Sequence, residues 1–195
     1  MRVFIWIGHG ARPAGPGGED GDMGLRFVLD PDLTAELRRE IVALWTTVTN
    51  AGGAVGFVAP VTEEQVRPVA EAAFEGVVAG PDRILIGYDD DARPAAMVIF
   101  ADNRFALKDH WCVLKRVMVD PEQQGKGYGM ELMREAERVA RKIGWSALHL
   151  TVRAGLGVEE FYARCGYREV GRLPGALRVG PGDDRDEILM WLSLV

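Results

Sequence analysis

The sequence contains few of the residues that build metal centres and disulfide frameworks. Its 195 residues include two cysteines and three histidines. Cys112 and Cys165 form no Cys-x-x-Cys pair, and the histidines lack the spacing of metal ligands. Neither a disulfide scaffold nor a metal site is therefore predicted, and a reducing, cytoplasmic setting is expected.

Long apolar runs and a surplus of basic residues are also missing. No stretch is long enough to span a bilayer, and the apolar run at positions 3–7 is shorter than the core of a signal peptide. The formal net charge is −6, whereas nucleic-acid-binding proteins usually carry a basic footprint. We therefore expect no membrane and no nucleic acid as partner. The negative charge mildly favours a cationic small molecule.

By composition the chain divides into a leader and one domain. Glycine and proline are concentrated at positions 8–18, which predicts a flexible leader over residues 1–22; an extra edge strand at 3–7 is the alternative. Residues 23–195 have the length of a single domain. The whole chain is 48% hydrophobic and 27% charged, which is typical of a globular protein.

Hydrophobic periodicity predicts the order strand, two helices, three strands, helix, strand, helix, two strands. Asp30 is expected to cap the first helix, with Pro31 at its first position. Residues 62–65 form a capping box, and Gly144 should end the third helix. Residues 174–186 read as a loop. The strands are predicted at 25–29, 83–88, 94–101, 111–119, 147–152, 167–173 and 187–194, and the last helix at 158–164.

The most informative motif lies at residues 117–129, where a strand leads through a glycine-rich turn into a helix. Glycines at 125, 127 and 129 allow the backbone to approach a ligand closely. The amides at a helix start lack intrahelical partners and, with the helix dipole, favour an anion. A pyrophosphate cradle is therefore predicted. The spacing matches neither the dinucleotide fingerprint nor a Walker A motif, and a turn that only caps the helix is the alternative.

Two motifs together resemble the GNAT superfamily of N-acetyltransferases. Residues 124–129 resemble its acetyl-CoA loop, in which Arg or Gln is followed by x-x-Gly-x-Gly or Ala. Residues 160–167 resemble its short tyrosine-bearing helix, which ends in Gly-Phe or Gly-Tyr. The stretch 50–58 looks like the tabtoxin-resistance branch. The resemblance covers about residues 24–195. It implies an α/β (α+β) fold, with a single mixed, mostly antiparallel sheet, flanking helices and splayed central strands.

The resemblance also implies a reaction, the transfer of an acetyl group from acetyl-CoA to a primary amine. Tyr162 would protonate the leaving thiolate, because a phenol and a thiol have similar pKa values. The backbone of Val117 and Val119 would bind the pantetheine arm, and the amide of Met118 would polarise the thioester carbonyl. The pyrophosphate would bind along Gln124, Gly125, Lys126, Gly127, Tyr128, Gly129 and Met130.

Two positions depart from the family pattern. Val113 stands where many relatives carry a glutamate base, and Gly155 stands where an asparagine is frequent. We take His110 as the candidate base because its unperturbed pKa is the most suitable. Asp109, Asp102 and a water relay are alternatives. The missing glutamate also leaves open a CoA-binding module without catalysis.

The acceptor is predicted to be the amine of a small molecule, held between segment 50–60 and the strand ends near Trp111. Phe57 and Trp45 are further candidates for an apolar lining. A protein lysine or N-terminus is the alternative if the groove is open. His149 is predicted to be a satisfied sheet residue. Because GNAT enzymes are often dimers, a homodimer is also expected.

Overall fold

The structure is a computed structural model that describes residues 24–195. The predicted leader at 1–22, with its alternative edge strand, lies outside the described residues. The elements follow the predicted order: β1 (Arg26–Leu29), α1 (Ala35–Asn50), α2 (Glu63–Val78), β2 (Arg83–Tyr88), β3 (Pro94–Ala101), β4 (Trp111–Val119), α3 (Tyr128–Ile143), β5 (Ala147–Arg153), α4 (Val158–Arg164), β6 (Arg168–Gly180) and β7 (Asp183–Ser193).

The seven strands form one sheet in the order β1-β2-β3-β4-β5-β7-β6. The pair β4–β5 is parallel and all other neighbours are antiparallel. The predicted mixed, mostly antiparallel sheet is therefore confirmed. A parallel pair needs a crossover connection, and α3 supplies it.

Helices cover both faces of the sheet. On one face, α1 and α2 bury residues such as Ile41 and Phe74 against β2 and β3. On the other face, α3 and α4 bury Leu132 and Tyr162 against β3, β4, β5 and β7. We call these the α1/α2 face and the α3/α4 face. Within residues 24–195, no helix is both long and apolar enough to cross a membrane.

The predicted cap of the first helix is wrong. Helix α1 begins at Ala35, and the Oγ1 of Thr34 accepts a hydrogen bond from the amide of Leu37 at 3.2 Å. Asp30 instead has a φ of +48°. Its carboxylate accepts from the amide of Ile84 at 2.9 Å and pairs with Arg83. Asp30 thus fastens the end of β1 to β2, and a distant partner overrides its local preference for a cap.

The loop predicted at 174–186 is also wrong, because β6 and β7 continue through it to a tight turn at Pro181 and Gly182. Register shifts between Leu173 and Leu177 accommodate the proline and glycine of this stretch. Charged pairs such as Arg178–Asp184, at 2.7 Å, replace apolar alternation across the hairpin. The other local signals are confirmed: the amide of Thr62 donates to Gln65 Oε1 at 2.9 Å, and Gly144 ends α3 with a φ of +97°.

Candidate active site

The sheet opens between its two central strands. β4 and β5 pair at only three positions, Trp111 with Ala147, Cys112 with Leu148 and Val113 with His149. Beyond these pairs no further residue of β4 is matched to β5, so the facing edges are free for a ligand. The predicted splay of the central strands is confirmed.

A β-bulge at Arg116 accompanies this opening. Arg116 has a φ of +55°, and the pairing of β3 with β4 shifts register between Met97 and Ile99. Before the bulge, Cys112 and Leu114 face the α3/α4 side; after it, Val117 and Val119 do. The bulge therefore reverses the alternation of side chains and presents Arg116 at the opening.

A cleft of about 570 Å³ passes through this opening, which lies within the usual range for small-molecule sites. On the α1/α2 side it is lined by residues 54–58 of the α1–α2 loop. On the α3/α4 side it is lined by Tyr162. Residues 113–117 of β4, 150–153 of β5 and 176–179 of β6 complete the walls. The cleft thus connects the two faces of the sheet.

The predicted amide cradle, residues 124–130, follows β4 at the start of α3. Gly125 and Gly127 have φ values of +83° and +89°, and a Cβ at either would meet no atom within 4 Å. Among the residues that the structure describes, the amides of Gly125, Lys126, Gly127 and Gly129 donate to no protein acceptor. Left-handed glycines, open space and unused donors together fit a diphosphate.

Contacts between α3 and α4 connect the cradle to the cleft. A Cβ at Gly129 would lie 3.3 Å from Phe161 Cζ, so this glycine allows close packing of the two helices. The Sδ of Met130 lies 3.4 Å from Cys165 Sγ. Tyr128 is buried in the first turn of α3. The cradle therefore packs against α4, the helix that carries Tyr162, the predicted general acid.

Tyr162 lines the cleft from α4. It is only 7% exposed, and its ring contacts Tyr167 edge-on at 5.8 Å. Within residues 24–195 its hydroxyl makes no hydrogen bond to a protein group. Burial raises the pKa of Tyr162 above the usual value for tyrosine, so the phenol is protonated at neutral pH.

The other predicted site residues do not all have side chains in the cleft. Val117 lines the cleft, whereas the side chains of Met118 and Val119 pack into the core, so these two offer only their backbone. His110 lies on an exposed turn, 3.9 Å from the carboxylate of Asp109. The cleft lining of β4 begins at Val113. The role of His110 stays a prediction that its position does not favour.

Of the aromatic residues predicted to line the acceptor region, one lies in the cleft and two do not. Phe57 lines the cleft, but Trp45 is buried beneath the α1–α2 loop and donates from Nε1 to Val55 O at 2.9 Å. Trp111 lies outside the cleft and packs on His149 at 5.8 Å. The prediction for His149 is wrong, because its Nδ1 is buried without a hydrogen-bond partner in the described chain. Burial lowers the pKa of His149.

Glu187 is a candidate that the sequence patterns did not reveal. It is the one carboxylate among the cleft-lining residues of the described chain. Ile188 and Met190 of β7 face the α3/α4 core, so alternation directs Glu187 to the opposite side, toward the α1/α2 face. The alternation was visible in the sequence, but the insertion of β7 between β5 and β6 was not.

The side chains that line the cleft carry a net positive charge, whereas the chain as a whole carries a net negative charge. Lys115, Arg116, Arg153 and Arg178 line it, against Glu187. The net charge of −6 indicated a cationic partner, whereas the local field favours a ligand with negative groups. A ligand in the cleft would be affected more by these local charges than by distant surface charges, which are screened by salt.

The opened sheet and the adjacent amide cradle have the architecture implied for a CoA-dependent acyltransferase. The profile of the acetyltransferase (GNAT) family matches residues 37–167, which is more than half of the chain. The chain belongs to this family.

Solved structures share the fold. One, provisionally named a phosphinothricin N-acetyltransferase, superposes with a TM-score of 0.72 at 19% identity over 87% of this chain and 99% of its own. The spermidine/spermine N-acetyltransferase SpeG from Vibrio cholerae has a TM-score of 0.65 at 15% identity, over 88% of this chain and 93% of its own. At these identities the likeness shows the fold alone.

A curated relative matches over a short segment. The tRNA uridine(34) acetyltransferase of Methanocaldococcus infernus is 39% identical over 62 residues, which are 32% of this chain and 11% of that protein. The chain spans about a tenth of the length of the curated relatives that it matches.

Proposed function

We propose that this protein transfers the acetyl group of acetyl-CoA directly to the primary amine of a small molecule. The observation that carries the proposal is the cleft through the sheet between β4 and β5. It opens to Tyr162 on the α3/α4 face and to the α1–α2 loop on the other. Two substrates that approach from opposite faces would meet at the bulge of β4.

The co-substrate is proposed to lie along the free edge of β4, with its diphosphate on the amide cradle. The cradle supplies backbone donors from Gly125, Lys126, Gly127 and Gly129. The backbone of Val117 and Val119 would bind the pantetheine arm. The amide of Met118 would donate to the thioester oxygen as negative charge develops there.

The proposed reaction joins the amine nitrogen to the thioester carbonyl carbon and breaks the carbon–sulfur bond. Glu187 accepts the ammonium proton of the bound amine and leaves the nitrogen neutral for attack. After attack the nitrogen releases its second proton to solvent, while Tyr162 donates a proton to the departing sulfur and regains one from solvent. Burial raises the pKa of Tyr162, and the thiol in the same desolvated cleft is subject to the same effect. The pKa values of the phenol and of the leaving thiol therefore remain similar.

A small acceptor is favoured because the α1–α2 loop covers one side of the cleft. Trp45 bonds the carbonyl of Val55, and the side-chain amide of Asn50 exchanges two hydrogen bonds with the backbone of Val61, at 2.9 and 2.8 Å. These bonds hold the loop in place. An extended peptide would need the open groove that the loop narrows. The amine of a protein is the alternative acceptor. We also propose that the protein acts in the cytoplasm and forms a homodimer.

Replacing Glu187 by glutamine should lower kcat/KM for the amine about ten- to a hundredfold near neutral pH. The deficit should shrink as the pH rises, because a larger fraction of the amine then arrives neutral and does not need Glu187 to remove its ammonium proton before attack. The measurement is thiol release from acetyl-CoA over a range of pH.

The control for this experiment is Glu169→Gln. Glu169 lies on the neighbouring strand β6 and pairs with Arg172 at the surface, outside the cleft. It should keep the wild-type pH profile. A Glu187→Gln enzyme whose loss is independent of pH would exclude Glu187 as the proton acceptor.

A further inference from the structure

We propose that Arg116 binds a carboxylate on the acceptor, so that the substrate class is a small amino acid rather than a polyamine. This inference rests on the proposed function and names its acceptor. Four features of the described chain support it: the position of Arg116, the side chain it stacks on, its unused donors and the sign of the surrounding charge.

Arg116 is located where the acceptor is expected. It lies at the bulge of β4 and lines the cleft. Its guanidinium carbon is 4.9 Å from the centre of the Trp45 ring, on the α1/α2 face. Tyr162 and the amide cradle lie on the opposite face. Arg116 is therefore separated from the expected path of the co-substrate's phosphates and faces the second substrate.

The guanidinium is held in one orientation. Gly56 has a φ of +103°, and a Cβ there would lie 2.6 Å from Arg116 Nη1, so the loop backbone closely approaches the guanidinium. Trp45 is fully buried and fixed by its bond to Val55. The planar group thus lies between an indole ring and a glycine. A fixed guanidinium is prepared to bind the two oxygens of a carboxylate side by side.

The donors of Arg116 are unused. Across residues 24–195, the guanidinium of Arg116 has no ion pair and no hydrogen bond to a protein acceptor, and its contact is with the ring of Trp45. Arg178, also in the cleft wall, is by contrast bound by both oxygens of Asp184, at 2.7 and 2.9 Å. Burial lowers the pKa of Arg116, yet a guanidinium stays charged in proteins. A partly buried cation is stabilised by an anionic partner, and here a ligand can supply it.

The remaining charges are consistent with an amino acid. Glu187 lines the same cleft and can receive the proton of the amine, while Arg116 would hold the carboxylate. A polyamine would instead place extra positive charge among Lys115, Arg116 and Arg153, which line the cleft, and like charges repel. The cleft therefore favours an acceptor with one amine and at least one carboxylate.

The test compares matched acceptors on three proteins. Each amino acid in a broad panel is assayed beside its carboxamide and beside spermidine, with thiol release as the readout. The wild type should prefer the acids over the carboxamides by about tenfold or more, as expected for a charge-assisted hydrogen bond. Arg116→Met keeps the apolar stem over Trp45 and should raise KM for the acid at least tenfold more than for the carboxamide.

The control is Arg138→Met, because Arg138 pairs with Glu135 on the exposed side of α3 and lies outside the cleft. It should keep the wild-type preference. If Arg116→Met raises KM equally for the acid and for its carboxamide, Arg116 contributes only packing and does not bind the carboxylate. A preference for spermidine that survives Arg116→Met would overturn the proposed substrate class.

A binding experiment separates this inference from the proposed function. The Nε–H resonance of Arg116 is followed by NMR while N-acetyl amino acids, or their amides, are added to the protein saturated with CoA. The acids should shift this resonance and the amides should not. If no acceptor is acetylated but the acids bind at Arg116, the carboxylate site stands without the reaction. If neither acids nor amides shift the resonance, the site is refuted whatever the turnover.

Discussion

Gly127→Val is expected to weaken CoA binding by at least a hundredfold while the domain stays folded. Gly127 has a φ of +89°, a conformation that costs a β-branched residue about 1–3 kcal/mol. The loop can escape this strain by leaving the cradle conformation, and binding must then restore it. The new side chain would also occupy the open space intended for the diphosphate. A hundredfold loss corresponds to about 2.7 kcal/mol.

The matched control for this change is Gly144→Val at the other end of the same helix. Gly144 has a φ of +97°, and a Cβ there also meets no atom within 4 Å. Both variants should lose similar stability, but only Gly127→Val should lose CoA affinity. Calorimetric titration with CoA and thermal unfolding measure the two effects. CoA binding by Gly127→Val at wild-type strength would refute the cradle.

Tyr162→Phe should lower kcat about a hundred- to a thousandfold and leave CoA affinity unchanged, because the phenol acts only as the thiolate departs. Burial raises the pKa of Tyr162, so its acid form persists as the pH rises. Activity should therefore show no loss from deprotonation of Tyr162 even as the pH passes through the range in which an ordinary tyrosine loses its proton. Single-turnover thiol release, with CoA titrated separately, checks both statements.

Tyr167→Phe is the control for Tyr162→Phe. Tyr167 is just as buried, lies beside Tyr162 and has a hydroxyl without a hydrogen-bond partner in residues 24–195. Removing that hydroxyl should leave turnover unchanged and slightly stabilise the fold, because an unpaired buried polar group costs free energy. If Tyr162→Phe behaves like Tyr167→Phe, the chain is better explained as a CoA-binding module.

Local sequence was sufficient where the physics is local. The bounds of β4 and α4 were predicted to the residue, since each depends on periodicity and on the breakers that flank it. The glycine-rich cradle was equally readable. Its proposed function requires backbone freedom at Gly125 and Gly127, and glycine adopts those positive-φ conformations without strain. The family followed from two such local motifs and their spacing.

The proposed acceptor side of the cleft depends on the tertiary structure. Asp30 does not cap the first helix because it pairs with Arg83, which is distant in the sequence. Glu187 reached the cleft only because β7 inserted beside β5, and Arg116 became a separate, unpaired cation only once a bulge placed it against Trp45. Sequence alone determined the order of the elements, most of their bounds and the glycine-rich motif, which depend on neighbouring residues. The proposed site of the second substrate depends on strand pairing between distant segments, which no local pattern encodes.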